Sequence, residues 1–429
     1  MIELRVPGDK SVSHRALLIA SLADGVSRIS GLGDGADVRS SLAVMRALGA
    51  GIDTMPAASG GLDATVRGGP LAAAGGVLDC GNSGTTARLL AGILAGSGLG
   101  GTLDGDASLR ARPMRRVIYP LQAMGLRARY LGSPGRLPVR LEPRSSGTFR
   151  TLRHRARVAS AQVKSALLLA GVTARVRVCV LEPARSRDHT ERLLREMGAP
   201  LETAEVEEGF EAAIDPAGWD GRLVPLDLSI PGDPSSAAFL VGAALLAGRG
   251  VRIEGVSENP TRTAFLDVLA GMGARIERSA TSMSGGEPIG EWIVHAGAAL
   301  DPFDLGGARI PSLIDELPLL SVLAARAAGR SVFRDAGELR VKESDRIGLL
   351  AENLAGLGVR VEELPEGLAI QGTPDRLEGR VRTGGDHRLA MAFGVLGVDP
   401  AASVRVDDPG CAAISFPGFW DLLERIRHG

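Results

Sequence analysis

The sequence predicts an α/β protein of mixed α+β type, with two similar domains that each hold three copies of one strand–helix–strand–helix–strand unit. Three observations lead to this prediction. An apolar helix with a polar start recurs six times, a second helix ending at glycine follows five of these, and the chain has 429 residues. Because a single hydrophobic core rarely grows beyond about 250–300 residues, two domains of three units each are expected.

The recurring helix starts with glycine and small polar residues and continues with apolar, mostly small residues. The six copies begin at Gly8, Gly81, Ser160, Gly232, Asp315 and Gly385. The first N–H groups of a helix have no partner within it, so a glycine-rich start can bind an anion. A single copy is better explained as a capped core helix. Six such starts facing one space would instead suit a substrate with several negative charges.

The second helix of the first five units ends before a glycine, as is usual where the last turn closes in the left-handed conformation. These glycines are Gly49, Gly125, Gly198, Gly273 and Gly358. Short alternating runs such as Arg175–Leu181 predict half-exposed strands. The seam between the domains is expected near Leu226–Pro231, and the residues leave open which domain holds the first strand, Ile2–Val6.

Composition excludes several classes of protein. A net charge of −1 and 3% aromatic residues do not provide the basic or stacking surface that nucleic acid needs. The N-terminal residues lack the apolar stretch of a signal peptide, and no apolar run is long enough to span a membrane. We therefore expect a cytoplasmic protein. Cys80, Cys179 and Cys411 are isolated and the histidines form no zinc-binding pair, so no metal site is expected.

Lysine is the rarest basic residue of the chain. It occurs at Lys10, Lys164 and Lys342 only, against 46 arginines. Lysine offers a compact charge and a pKa that its surroundings can shift, which arginine does not. Neighbouring residues favour a functional role for Lys10 and Lys342. For Lys164 a functional role and chance retention on the surface are equally favoured.

Charged residues next to helix starts are candidates for binding or proton transfer. Arg112 lies ahead of a helix and is expected to bind an anion, and Arg88 could complete an anion site one turn into its own helix. For Arg187, anion binding and a structural role are equally favoured. Lys342 beside Glu343 predicts acid–base chemistry, although charge runs are more often solvated faces.

The chain resembles the 5-enolpyruvylshikimate-3-phosphate synthase family, also called 3-phosphoshikimate 1-carboxyvinyltransferases. The matching stretches occur in the family's order along the whole chain: PGDKSVSHRALL, GNSGTTARLL, RARPM, SAQVKSALLLAG, SRDHTE, PGDPSSAAF, IDELP, LRVKESDRI, GDHRLAMA and SFPGF. The resemblance implies two domains of three βαβαββ repeats each, in an inverse α/β barrel-like arrangement. Residues 12–227 would form one domain, and residues 1–11 with 228–429 the other. The active site would lie in the cleft between them, which would close on substrate.

The resemblance also implies a reaction. The enolpyruvyl group of phosphoenolpyruvate moves to the 5-hydroxyl of shikimate 3-phosphate, with release of phosphate, in the shikimate pathway that leads to chorismate and the aromatic amino acids. No cofactor and no metal are expected, because fixed cations supply the electrostatic stabilisation. The expected partners are the two small substrates alone, with no nucleic acid and no membrane, and the expected state is a monomer.

Individual roles follow from the resemblance, position by position. The residues implied to bind shikimate 3-phosphate are Lys10, Ser11, Arg15, Ser160, Gln162, Arg187, Asp315 and Lys342. Those implied to bind phosphoenolpyruvate are Lys10, Gly84, Arg112, Gln162, Arg346 and Arg388. The catalytic group comprises Lys10, Asp315, Lys342 and Glu343. Asp315 is a candidate base for the attacking hydroxyl, and which group makes each proton transfer is left open.

Some positions depart from the family pattern, and other functions compete. His14 stands where many relatives have Asn, and Ile414 where some have Lys. The nearest alternative is a UDP-N-acetylglucosamine enolpyruvyl transferase, but that family has a reactive cysteine within the segment corresponding to Asp106–Ala111, which has none here. An RNA enzyme of similar repeated fold conflicts with the neutral charge and low aromatic content. A non-catalytic anion-binding scaffold would leave Lys342, Glu343 and Asp315 without a role.

Overall fold

The computed structural model describes residues 1–58, 60–144, 149–297 and 299–429, and its elements follow the repeated pattern of the sequence. The helices are α1 (Lys10–Ala20), α2 (Ala36–Ala47), α3 (Gly84–Ser97), α4 (Ala107–Ala111), α5 (Arg115–Met124), α6 (Ala161–Ala174), α7 (His189–Glu196), α8 (Pro234–Ala247), α9 (Ala264–Gly271), α10 (Ile310–Leu313), α11 (Leu317–Ala324), α12 (Arg346–Gly356), α13 (His387–Leu396) and α14 (Phe419–His428). Short 3₁₀ turns occupy Gly307–Arg309, Gly337–Val341 and Pro409–Ile414.

The strands are short and numerous, as a repeated small unit requires. They are β1 (Ile2–Arg5), β2 (Gly25–Leu32), β3 (Gly51–Pro56), β4 (Leu62–Gly68), β5 (Val77–Asp79), β6 (Gly101–Asp104), β7 (Ala128–Tyr130), β8 (Val139–Leu141), β9 (Leu152–Arg155), β10 (Val178–Glu182), β11 (Leu201–Val206), β12 (Gly209–Ile214), β13 (Asp227–Ser229), β14 (Val251–Ser257), β15 (Ile276–Ser284), β16 (Glu287–Val294), β17 (Asp304–Leu305), β18 (Arg330–Phe333), β19 (Arg360–Leu364), β20 (Gly367–Gln371), β21 (Leu377–Val381) and β22 (Ala402–Val406).

The chain divides into two compact units. The first unit comprises Gly8–Ile230 with Ser284–Glu287, and the second comprises Met1–Pro7, Pro231–Met283 and Pro288–Gly429. Each unit has its own hydrophobic core. The first strand, which the residues alone could not assign, pairs with β14 in parallel and so belongs to the second unit.

Among the described residues, five four-stranded sheets share one topology, which makes the repeat visible. In each, a parallel pair continues into an antiparallel hairpin; the strand orders are β13-β2-β4-β3, β5-β6-β8-β7 and β9-β10-β12-β11 in the first unit, and β1-β14-β16-β15 and β17-β18-β20-β19 in the second. The sixth repeat is shorter, because its sheet consists of the parallel pair β21-β22. The mixed α/β fold of repeated units is thereby confirmed.

The first helix of each repeat lies in the core of its unit. In α3, α8 and α11 almost every residue is buried, as expected for helices that are apolar on all sides. The predicted starts are confirmed, and four of them are capped by a side chain that accepts from the first turn: Asp9, Ser83, Asp233 and Asp386. These caps fix the residues that follow them, where the candidate functional side chains lie.

The backbone at the ends of the second helices agrees with the predicted glycine stops, and the backbone after α6 departs from the predicted strand. All five stop glycines have φ between 80° and 117°, the left-handed region that glycine adopts without strain. The strand predicted at Arg175–Leu181 is wrong at its beginning. Arg175 closes α6 with φ 53°, and the strand starts at Val178, because the helix needs three further residues to turn toward the sheet.

Helices α3 and α6 pack backbone against backbone in the first unit. A Cβ placed on Gly92 would lie 2.0 Å from the carbonyl oxygen of Ala166, and one on Gly96 would lie 2.0 Å from Thr173 Oγ1. Glycine is therefore required at both positions. This close approach sets α3 and α6 side by side, so their N-terminal turns are neighbours. In the described part of the chain, no helix has the length and apolar character needed to cross a membrane.

Candidate active site

The N-terminal turn of α3 holds two guanidinium groups close to Gly84. A Cβ on Gly84 would lie 2.8 Å from Nη1 of Arg88 and 3.6 Å from Nη1 of Arg112. Ser83 caps the helix by accepting from the Thr86 N–H at 3.1 Å. The helix dipole and two arginines thus place positive charge around one glycine, an arrangement suited to a phosphate or carboxylate.

Partners from other helices hold these two arginines in place. Arg88 donates to Oε1 of Gln162 on α6 and to the Pro113 carbonyl at 3.3 Å. Gln162 in turn donates to Thr85 Oγ1 at 2.9 Å. Arg112 donates to Asn82 Oδ1 at 2.6 Å. The predicted residues Gly84, Arg112 and Gln162 are therefore brought together, with Arg88 between them.

Lys10 is the first residue of α1 and pairs with an acidic residue of α2. Its Nζ lies 2.5 Å from Asp37 Oδ2, and 21% of the Lys10 side chain is exposed. The cap residue Asp9 accepts from the Val12 N–H at 2.9 Å, which fixes the start of the helix. The lysine is thus anchored on one side and open on the other.

Arg15 is almost fully buried, and other parts of the first unit occupy its guanidinium group. It is 3% exposed, and its guanidinium donates to Thr190 Oγ1 at 2.7 Å, to the Ser11 carbonyl at 2.9 Å and to Ser165 Oγ at 3.1 Å. Arg15 therefore ties α1 to α6 and α7 and fixes the backbone of Ser11. Its predicted contact with substrate stays a prediction.

Ser160 and Arg187 lie at the starts of α6 and α7. Ser160 precedes α6 without capping it through its side chain, and its N–H donates to Glu182 Oε1 at 2.6 Å. Arg187 is half-buried and stands immediately before Asp188, the residue that begins α7. Asp188 makes no side-chain cap and instead accepts from Arg185 and Arg192, both at 2.9 Å.

In the second unit, Asp315 is surrounded by three cations. Its carboxylate lies 3.5 Å from Nη2 of Arg388, 3.6 Å from Nη1 of Arg346 and 3.9 Å from Nζ of Lys342. Arg388 also donates to the Asp315 carbonyl at 3.0 Å. The predicted site residues Asp315, Lys342, Arg346 and Arg388 thus form one cluster. The fifth residue predicted in this unit, Glu343, is bonded to that cluster through Arg346.

Arg346 is the fixed centre of that cluster. It is fully buried and donates to Asp386 at 2.7 and 3.2 Å and to Glu343 Oε2 at 2.7 Å. Burial alone would lower the pKa of Arg346, but the carboxylates of Asp386 and Glu343 outweigh it and the net shift is upward. The guanidinium is therefore a permanent positive charge.

Lys342 differs from its arginine neighbours because its proton is labile. Burial lowers the pKa of Lys342 below the usual value near 10.5, and the carboxylates of Asp315 and Glu338 offset part of that shift. Even so, 28% of the side chain is exposed, so the ammonium can reach a ligand. A lysine that is acidified and accessible is suited to proton transfer.

Sequence reasoning predicted Asp315 and Glu343 but missed two other acidic residues that hold the cations, Asp37 and Asp386. Asp37 binds Lys10 across 27 positions, and no local pattern connects the two. Asp386 lies within the matching stretch GDHRLAMA, yet its hold on Arg346 depends on how α12 and α13 pack. Lys164 is also corrected: chance retention on the surface is wrong, because its side chain is fully buried between Glu182 and Glu191.

The remaining groups able to do chemistry are metal-ligating side chains and cysteine thiols. Across residues 1–58, 60–144, 149–297 and 299–429, no three His, Cys, Asp or Glu side chains are placed to hold a metal ion. Cys80, Cys179 and Cys411 are buried and unbonded to one another. Burial raises the pKa of the Cys179 thiol to about 11 and that of Cys411 to about 12, so neither is an activated nucleophile.

Comparison with known proteins places the chain in one family. The sequence model of EPSP synthase (3-phosphoshikimate 1-carboxyvinyltransferase) matches residues 2–423. The chain is 46% identical to 3-phosphoshikimate 1-carboxyvinyltransferases of Salinibacter ruber, over 98% of this chain and 96% of the relative, and of Gloeobacter violaceus, over 99% and 96%.

Solved structures agree with the sequence relatives. EPSP synthase from Acinetobacter baumannii superposes with a TM-score of 0.83 at 35% identity, covering 99% of this chain and 95% of that one. The enolpyruvyl transferase NikO from Streptomyces tendae shares the fold, with a TM-score of 0.75 at 19% identity over 99% and 94%. The chain therefore belongs to the EPSP synthase family, the 3-phosphoshikimate 1-carboxyvinyltransferases.

Proposed function

We propose that this chain transfers the enolpyruvyl group of phosphoenolpyruvate to the 5-hydroxyl of shikimate 3-phosphate and releases phosphate. The family match over nearly the whole chain supports this reaction. The observation that carries the proposal furthest is the cluster around Asp315, where a carboxylate and an acidified lysine lie 3.9 Å apart beside two arginines. Such a cluster combines acid–base groups with fixed positive charge.

The first-unit residues are proposed to bind shikimate 3-phosphate. These are Lys10, Ser11, Arg15, Ser160, Gln162 and Arg187, joined by Asp315 and Lys342 from the second unit. The support comes from position: Lys10 begins α1, and Ser160 and Arg187 flank the starts of α6 and α7. Arginine and lysine at helix starts give charge-assisted bonds to a phosphate, each worth about 1.5–3 kcal/mol.

The phosphoenolpyruvate site is proposed to use Lys10, Gly84, Arg112, Gln162, Arg346 and Arg388. Two substrates with phosphate and carboxylate groups repel each other by several kcal/mol when brought within a few Å in a partly dry site. Fixed guanidinium groups offset that repulsion without a proton change. Arg346 is suited to this role because Asp386 and Glu343 hold it rigidly.

The proposed chemistry has two stages. In the addition, the 5-oxygen bonds to C2 of phosphoenolpyruvate, its proton passes to a base, and the methylene carbon gains a proton. In the elimination, the new methyl group loses a proton and the bond from C2 to the phosphate oxygen breaks. Asp315 is proposed as the base for the hydroxyl, and Lys342 with Glu343 as the pair that gives and takes the carbon-bound proton.

The test is release of inorganic phosphate from defined substrate pairs. With phosphoenolpyruvate and shikimate 3-phosphate the protein is expected to release phosphate, and with either substrate alone it is not. Release with UDP-N-acetylglucosamine in place of shikimate 3-phosphate would transfer the assignment to the related transferase. The absence of cysteine from Asp106–Ala111 favours the shikimate substrate over that alternative.

A monomer in the cytoplasm is proposed as the working state. The family match supports the compartment, and one full set of site residues per chain supports the monomer. Light scattering on the purified protein at several concentrations tests the oligomeric state, and a mass above that of one chain of 44.4 kDa would contradict it.

A further inference from the structure

A buried ion cluster lies beneath the proposed shikimate 3-phosphate contacts of the first unit. Lys164 on α6 places Nζ 2.9 Å from Glu182 Oε2 and 2.8 Å from Glu191 Oε1, and all three side chains are at most 1% exposed. The ring of Phe210 lies 5.4 Å from the same ammonium. We call these three charged residues the Lys164 cluster.

Within the cluster, Glu182 bonds to two backbone segments at once. It ends β10, and its Oε1 accepts from the Ser160 N–H at 2.6 Å while its Oε2 accepts from Ser186 Oγ at 2.7 Å. Ser160 is a proposed substrate contact and Ser186 precedes another, Arg187. One carboxylate therefore sets the spacing between the start of α6 and the start of α7.

Glu191 meets the same ammonium from a different direction. It lies in the first turn of α7, where the helix dipole favours negative charge. In the described part of the chain, no hydrogen bond joins Glu191 to Ser160 or Ser186. Glu182 and Glu191 are thus equally buried and both contact Lys164. They differ because only Glu182 is bonded to Ser160 and Ser186 among the described residues.

The cluster is not explained by stability alone. A buried ion group stabilises a fold no better than well-packed apolar residues of the same volume, because desolvation costs as much as the pairing returns. Such groups do fix geometry, since a buried carboxylate with all its bonds made admits one arrangement of its donors. The geometry fixed here is that of the two segments that carry Ser160 and Arg187.

We propose that Glu182, held in place by Lys164, is a positioning residue for shikimate 3-phosphate, fixing the Ser160 and Arg187 segments at the spacing that this substrate requires. This inference rests on the proposed function. The Glu182 side chain is 1% exposed, so we expect it to act on binding of this substrate and to leave the chemical step unchanged.

The test compares Glu182→Gln with the matched control Glu191→Gln. Both changes remove one buried negative charge next to Lys164 and keep the side-chain shape. Glu182→Gln is expected to raise KM for shikimate 3-phosphate about tenfold, which corresponds to weakening one charge-assisted bond. KM for phosphoenolpyruvate and kcat are expected to stay within about twofold of the Glu191→Gln values.

Thermal unfolding of both variants separates folding from positioning. If Glu182→Gln does not fold, Ser186→Ala replaces it, because that change removes one bond to Glu182 and no charge. It is expected to raise KM for shikimate 3-phosphate severalfold and leave KM for phosphoenolpyruvate unchanged. No change in this variant overturns the inference.

Other outcomes identify which claim is wrong. Three results would overturn the positioning role: equal changes in KM for shikimate 3-phosphate in Glu182→Gln and Glu191→Gln, no change in either variant, or an equal rise in KM for both substrates. In each case turnover by the wild-type protein would still uphold the proposed function. A wild-type protein that does not turn over shikimate 3-phosphate overturns both claims.

Discussion

Lys342 is the residue whose protonation links the structure to the reaction most closely. Its folded pKa lies below the usual value near 10.5, first because of burial, with Asp315 and Glu338 partly opposing. A group of this kind loses its proton as the pH rises through a pKa lower than that of an ordinary lysine. The protonated form of Lys342 therefore predominates only below that lowered pKa.

The pH profile of kcat/KM should show this group. If protonated Lys342 is required, activity falls on the alkaline side with a midpoint below 10.5. Lys342→Arg keeps the charge but cannot release a proton, so we expect a rate reduced by about 100-fold or more and loss of that alkaline limb. A residual activity with the wild-type limb unchanged would contradict the role of Lys342.

Lys10 is the second lysine that arginine should not replace. Its ammonium fits against Asp37 at 2.5 Å, and a planar guanidinium cannot occupy the same point contact. We expect Lys10→Arg to lose at least about tenfold in kcat/KM although the charge is retained. Arg39→Lys, on an exposed side chain of α2, is the control and should leave kcat/KM unchanged. Near-normal turnover of Lys10→Arg would contradict the inference that Lys10 is functional because lysine is rare in this chain.

His14 predicts how stability depends on pH. It is fully buried, bonds through Nδ1 to Ser41 Oγ at 2.8 Å, and burial lowers its pKa to about 3, with Lys10 and Arg15 adding to the shift and Asp37 opposing it. Between the folded pKa and the unfolded value near 6.5, the unfolded chain binds a proton that the folded chain does not. Stability from neutral His14 is therefore complete above 6.5 and is lost as the pH falls.

Urea unfolding as a function of pH measures this contribution. From pH 6.5 to 5, His14 is expected to reduce the free energy of unfolding by about 2 kcal/mol. His14→Asn keeps a partner for Ser41 and removes the titration, so its stability should change less over the same interval. Parallel curves for the two proteins would show that His14 is not the buried neutral group inferred here.

At the scale of elements, the contact between α3 and α6 aligns two helix starts of the first unit. Gly92 approaches the Ala166 carbonyl so closely that an added Cβ would lie 2.0 Å from it. The bond between Arg88 and Gln162 depends on that spacing. A larger side chain at Gly92 must therefore move a helix and disturb the arginine pair near Gly84.

Gly92→Ala tests this dependence. We expect a loss of about 3 kcal/mol or more in the free energy of unfolding, because backbone atoms must move, together with a raised KM for phosphoenolpyruvate. Gly356→Ala is the matched control: it ends α12, and a Cβ there would meet nothing within 4 Å. That change should be neutral or stabilising by up to about 1 kcal/mol. Equal stabilities of the two variants would contradict the close packing of α3 on α6.

At the scale of the whole molecule, the repeat is what the sequence predicts best. Residues only a few positions apart determine where each helix begins and ends, as at Ser83, Asp233 and Gly198. Local sequence patterns therefore predict these helix ends. The ion pairs cannot be predicted from local patterns. Asp37, Asp386 and Glu182 contact Lys10, Arg346 and Lys164, respectively, only after separate helices and strands have packed. The motifs therefore predicted the cations of the candidate site and two of its carboxylates, Asp315 and Glu343, but not Asp37 and Asp386, which also orient those cations.

The small sheet of the sixth repeat could not be predicted from the sequence either, because it too depends on packing between distant segments. The apolar helix and the glycine-rich start of this repeat match the other five in sequence, and α13 forms as predicted. Its sheet pairs β21 with β22 alone among the residues that the structure describes, because strand pairing depends on contacts that no single repeat encodes. A repeated sequence pattern thus predicts the helices of each copy more reliably than the size of its sheet.

The most direct test of enolpyruvyl transfer follows the carbon atoms themselves. With phosphoenolpyruvate labelled with ¹³C at C2 and C3, NMR of a reaction with shikimate 3-phosphate should show a new enol ether on the 5-oxygen and an equal amount of inorganic phosphate. Label that stays in phosphoenolpyruvate, or that appears as pyruvate with no enol ether, would contradict the account.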